Sequence, residues 1–156
     1  MQVFRTLTAA ALFAVAGAGA SLACGMASFV DSDPRALYAT QITSIEGAQI
    51  DGDSLTLTVT FDVATGGWTD PQLVPVNYFV QPWDGVYEIY AMAIPPEEMA
   101  TDAITSMTAT IDVPLVEGVP GWRIIADGGC VTLMLDGNTL PDGGSDGCTV
   151  QNLTVS

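Results

Sequence analysis

The chain has 156 residues, 18 acidic against 3 basic, no histidine, a formal net charge of −15 and an apolar fraction of 49%. That length holds one domain, and the apolar content is enough for a core rather than a disordered chain. Without histidine there is no imidazole base, no His-ligated metal and no Ser-His-Asp triad; without lysine there is no Schiff base.

The chain opens on Arg5 and an apolar, alanine-rich run from Leu7 to Ala20 that is broken by Gly17 and Gly19. This is too short for a membrane span, which needs about 20 apolar residues, and it suits a signal peptide over residues 1–23. Ser21-Leu22-Ala23 places small residues at cleavage spacing before Cys24, and Ala18-Gly19-Ala20 offers a second site. Ala20-Ser21-Leu22-Ala23-Cys24 also resembles a relaxed bacterial lipobox, with Leu22 one position later than the preferred place. Cys24 is therefore the expected lipidation site, and the odd cysteine count gives it a reason to stand apart from a disulfide. The competing expectation is that Cys24 pairs with Cys130 or Cys148. Removing residues 1–23 leaves Arg35 and Arg123 as the only cations. So acidic a surface repels nucleic acid and anionic headgroups, and membrane contact is expected only through a lipid anchor.

Residues 24–35 form a short lead, and residues 36–156 read as one β domain. Residues 41–50 suit a strand that loses phase near Ser44-Ile45, the mark of a bulge. Leu55, Leu57, Val59, Phe61 and Val63 alternate with polar residues, a strand with one buried and one wet face. Val74, Val76, Tyr78 and Val80 form another row. Residues 86–94 are apolar on both faces, as in a central strand. Pro96, Glu97 and Glu98 suit one short helix over 95–101. Met107, Ala109, Ile111 and Val113 repeat the clean alternation, and 122–126, 131–135 and 148–155 complete about eight strands. Asp-Gly at Asp51-Gly52 and Asp127-Gly128 predicts tight hairpins there. The expectation is an all-β, antiparallel sandwich, Ig-like in the loose sense, with a small barrel as the alternative.

The chemistry is sparse. Gly143-Gly144-Ser145-Asp146-Gly147 matches the nucleophile-elbow pattern G-x-S-x-G, but a histidine-free chain cannot complete it. Asp142, Ser145 and Asp146 are candidate oxygen ligands for Ca²⁺, as are Asp31 with Asp33 and Asp51 with Asp53; the plainer reading is solvated turn residues. Trp68, Trp83 and Trp122 lie near glycine or proline, with Asp70 and Asp84 beside the first two. They read either as a ligand-binding set for carbohydrate or as plugs for the sandwich ends. Asn152-Leu153-Thr154 is a glycosylation sequon that means little if the signal peptide is bacterial. Cys130 and Cys148 are the expected disulfide, yet a hairpin of 130–135 with 148–155 would hold them about 17 Å apart, so another chain path is required. Together these features predict an exported, lipid-anchored, acidic envelope protein with a non-catalytic structural or binding role. The alternatives are a Ca²⁺- or carbohydrate-binding module and, last, a carboxylate-only enzyme. No cofactor is otherwise expected.

Overall fold

The computed structural model describes residues 32–51, 53–135, 138–140 and 147–153. Nine strands are assigned: β1 Leu37–Tyr38, β2 Gln41–Asp51, β3 Ser54–Val63, β4 Thr69–Pro75, β5 Tyr87–Ile94, β6 Thr105–Pro114, β7 Gly121–Ala126, β8 Gly129–Leu135 and β9 Thr149–Leu153. They form two packed sheets, so the all-β sandwich expected from the alternating rows is present. One sheet has the order β2-β3-β6; the other runs β1-β5-β7-β8-β9, with β4 also on β5.

The small sheet is antiparallel throughout, with β3 in its centre. Its inner row, Leu55, Leu57, Val59, Phe61 and Val63, is essentially closed to solvent. It packs into one core with Leu73, Ile89, Ala91, Ile124 and Leu133 of the larger sheet. Its outer row is a threonine ladder across β3 and β6: Thr58 to Thr110 and Thr60 to Thr108, each at 3.1 Å between hydroxyls, ending on Thr56–Asp112 and Ser106–Asp62. The register of β2 slips between Ile42 and Ser44, next to the expected bulge, and again between Glu46 and Gln49.

The larger sheet departs from the antiparallel expectation, because β5 pairs β7 and β8 pairs β9 in parallel. The parallel β8–β9 pair supplies the path that the cysteines demand. Val131 faces Thr149, so Cys130 and Cys148 are neighbours at the starts of two strands that run the same way, Cα to Cα 4.7 Å, and they are disulfide-bonded. Parallel strands need a long crossover, and residues 136–148 provide the length. Strand β5 is central, as its two apolar faces imply: β4 lies on one side, while β7 and then β1 lie along the other. Gly121 on β7 admits the close approach of β8, since a Cβ there would lie 2.0 Å from the Leu133 carbonyl oxygen.

Two local expectations are corrected. The row from Val74 to Val80 is a strand only up to Pro75; Val76, Tyr78 and Val80 leave the sheet in a long loop. Residues 95–101 contain no helix. Pro95 and Pro96 withhold two amide donors, and a single turn cannot repay its nucleation cost. Thr101 instead accepts the Gly66 amide in an irregular loop. The Asp127-Gly128 hairpin is present, with Ala126 paired to Gly129, but the positive φ falls on Gly129. The Asp127 and Gly128 amides donate to the carbonyls of Ala39 and Thr40, which fixes the turn geometry through tertiary contacts.

Candidate ligand-binding site

Registered neighbours share a face of a sheet. Glu88, Arg123 and Thr132 are in register across β5, β7 and β8, so they line the larger sheet's outer face, away from the core. That face is nonetheless covered at this point. The Val76 amide, donating to the Glu88 carbonyl at 2.8 Å, prolongs the β4–β5 ladder by one rung, and the loop 76–86 then reaches over the face with Tyr78 and Asp84, which meet Glu88 and Arg123.

A charged network ties the loop down. Arg123 Nη2 donates to Asp84 Oδ2 at 2.8 Å and Nη1 to Glu88 Oε1 at 3.4 Å. The side chains of Arg123 and Asp84 are only 8% and 2% exposed. Asp84 Oδ1 accepts the Val86 amide at 3.1 Å, so both of its oxygens are used. The Tyr78 hydroxyl donates to Glu88 Oε2. Burial and the Glu88 charge push the Tyr78 phenol pKa well above the ordinary tyrosine range. An ion pair this far from water persists only when its partners are well placed, and here it joins the loop to two strands.

The clamped loop displays apolar side chains outward: Phe79 and Val80 are 82% and 81% exposed, and Trp83 is 69% exposed. Trp83 lies at the tip of a turn closed by the Gly85 amide on the Pro82 carbonyl, at 2.9 Å. Gly85 has φ +74°, and a Cβ there would come within 3.1 Å of Pro120. The glycine therefore serves both the turn and the close contact with the 115–120 loop. Between these loops is a cleft of about 390 Å³, lined by Gln81, Trp83, Asp84, Val119, Pro120 and Asn138 among others. The side-chain amides of Gln81 and Asn138 make no hydrogen bond among the described residues.

The three tryptophans are not brought together. Trp122 is buried in the core on β7. Trp68 is half-buried against the core, its Nε1 donating to Thr65 Oγ1 at 3.0 Å. It precedes Thr69, which pairs with Ile94, and so stands at the far end of β5 from Trp83. Trp68 and Trp122 thus take the plug role, and Trp83 alone faces a cleft. Asp70, with φ +51°, accepts from Gln72 at 2.8 Å and lies apart from the tryptophan cleft. Cys24 and the signal segment lie outside the described residues, as do Asp31, Asp142, Ser145 and Asp146. Asp33 is engaged by Arg35, whose hydrogen bonds lower its pKa to about 2. Among the described residues no group of three or more acidic or cysteine side chains converges as a metal site would require.

Sequence reasoning missed Arg123, Glu88 and Tyr78, and also Gln81 and Asn138. One signal was available. Arg123 is an arginine inside a short apolar strand, Trp122-Arg123-Ile124, and a strand buried on both faces admits a charge only with a partner. No protein-family model, curated protein or solved structure matches the chain.

Proposed function

We propose that the chain is an exported, lipid-anchored acidic envelope protein that acts as a non-catalytic binding domain, with the loop 76–86 as its contact face. The observation that carries the anchoring is the Cys130–Cys148 disulfide. It uses two of the three cysteines. The third, Cys24, directly follows the small-residue stretch Ser21-Leu22-Ala23, where acylation requires a free thiol. The binding role is supported by Phe79, Val80 and Trp83, which stand exposed on a loop whose base is tied by buried ionic contacts. Exposed aromatic groups on a rigid support lose little entropy when a partner arrives. Hydrolytic or transfer chemistry has little support: the charged groups of the loop are occupied with one another, and histidine and lysine are missing from the chain.

The test is cell fractionation with fatty-acid labelling. Wild type is expected in the membrane fraction with label, and Cys24→Ser in the soluble fraction without it. One acyl chain would hold the protein only marginally, whereas a diacylglycerol with an N-acyl chain holds it firmly. An unlabelled, soluble wild type would overturn the anchor.

A further inference from the structure

The geometry points to the cleft beside Trp83 as a site for a neutral sugar ring, a neutral oligo- or polysaccharide being the ligand class. This rests on the binding role proposed above and gives it a substrate class.

The first element is the platform. An exposed indole at a turn tip offers a flat apolar face edged by a polar N–H. A pyranose is amphipathic in the complementary way: its axial C–H bonds make an apolar face, and its hydroxyls point outward around the rim. The second element is the wall. The Gln81 and Asn138 amides each carry a donor pair and an acceptor, and both are uncommitted within the described structure. Vicinal hydroxyls, each donor and acceptor at once, suit such groups. The third element is charge. Among the described residues Asp84 is the only ionisable one lining the cleft, and both of its oxygens are taken by Arg123 and the Val86 amide. The described lining thus offers no free charge, while the chain's −15 net charge opposes an anionic ligand. At about 390 Å³ the cleft is at the small end of ligand sites, which run from about 300 to 1,000 Å³. It fits a ring held on one face better than a ligand enclosed on all sides.

Rigidity completes the argument. The turn at Pro82–Gly85, the Gly85–Pro120 contact and the buried Asp84–Arg123 pair fix the turn that carries the indole before any ligand arrives. An unclamped loop would have to be ordered at a cost to affinity.

The test is a tryptophan-fluorescence titration, backed by affinity electrophoresis, of the folded domain with soluble neutral oligosaccharides: cello-, malto-, xylo-, manno- and chito-series. Phosphatidylcholine vesicles serve as the competing probe for the exposed Phe79 and Val80. The expected result is saturable binding of at least one series with Kd of about 1 mM or tighter. Trp83→Ala should weaken it about tenfold or more, Trp83→Phe should retain part of it, and Asn138→Ala should weaken it with the circular dichroism unchanged. Trp68→Phe, at the far end of the sandwich, should bind as wild type. If a sugar binds and Trp83→Ala leaves its affinity unchanged, the cleft is not the site and the proposal falls, while the binding role stands. Capture by vesicles through Trp83 with no sugar bound would replace the sugar with a lipid surface and overturn the proposal equally. Binding of neither probe overturns it too, and leaves export and anchoring to be judged by the Cys24 fractionation.

Discussion

Arg123 shows how one side chain can organise a surface. It stands between Trp122 and Ile124, two core residues, yet points to the opposite face of the sheet, where Asp84 reaches it across 39 residues of sequence. Removing one partner of a buried pair strands the other charge, at about 3–5 kcal/mol, while replacing both with apolar groups is often neutral. Arg123→Met and Asp84→Ala are each expected to lose stability of that order in urea denaturation. The double variant Asp84→Ala/Arg123→Met should lose clearly less than the sum of the two. Strict additivity would show that the pair does not act as a unit. Tyr78 gives a pH signature. Its folded pKa is raised, so the folded state holds the phenol proton more tightly than the unfolded chain. The stability linked to it is complete below the ordinary tyrosine value of about 10 and is lost as pH climbs from there. Alkaline denaturation should therefore begin above about pH 10, and spectrophotometric titration of Tyr78→Phe should lack one late-ionising phenol. An unchanged titration curve would remove Glu88 and burial as the cause. Much of the site was hidden from sequence reading for the same reason that it is stable. Trp83 and Asp84 are adjacent in the chain and stood out, whereas Arg123 and Glu88 meet Asp84 and Tyr78 only through the register of β5 with β7.

Among the elements, β9 depends most on a covalent tie. Its residues are largely exposed, and among the described strands it pairs with β8 alone. The disulfide at its start constrains the unfolded chain by about 3 kcal/mol for a loop of this size. Cys130→Ser/Cys148→Ser should lose about that much stability, with the amides of β9 exchanging faster while those of β3 keep their protection. Uniform loss of protection across both sheets would mean that β9 is integral to the core. The legibility of each element follows its environment. Strands β3 and β6 were readable because one face is dry and the other wet, so the alternation of Leu55 to Val63 against threonine is unbroken. Strand β9 was found but not its direction, since an exposed edge strand carries no inward row to set it. The row from Val74 to Val80 misled because alternation also arises when a loop lies on a sheet. Tyr78 turns to Glu88, while Val80 faces solvent. The short helix at 95–101 was misread from charges that suit a helix start but have no turn behind them.

At the scale of the whole molecule, the excess of carboxylates sets the character of the surface. Both cations of the described residues are committed to ion pairs, Arg35 with Asp33 and Glu97, Arg123 with Asp84 and Glu88. The remaining carboxylates repel one another across the surface, and salt screens that repulsion within about 10 Å at 0.1 M and 3 Å at 1 M. Tm should accordingly rise between low salt and molar NaCl, and a Tm indifferent to salt would show the charges too dispersed to interact. The fold class was legible at this scale because many short alternating runs separated by Asp-Gly turns leave few other packings. The mixed sheet was not, because strand direction depends on connections and not on composition. The Cys130–Cys148 disulfide leaves Cys24 available for the anchor proposed above. The most direct measurement is the intact mass, with non-reducing peptide mapping, of protein extracted from native membranes. The predicted result is a chain beginning at Cys24, carrying diacylglyceryl and N-acyl groups, with Cys130 linked to Cys148. A lipid-free chain in which Cys24 is linked to Cys130 or Cys148 would contradict it.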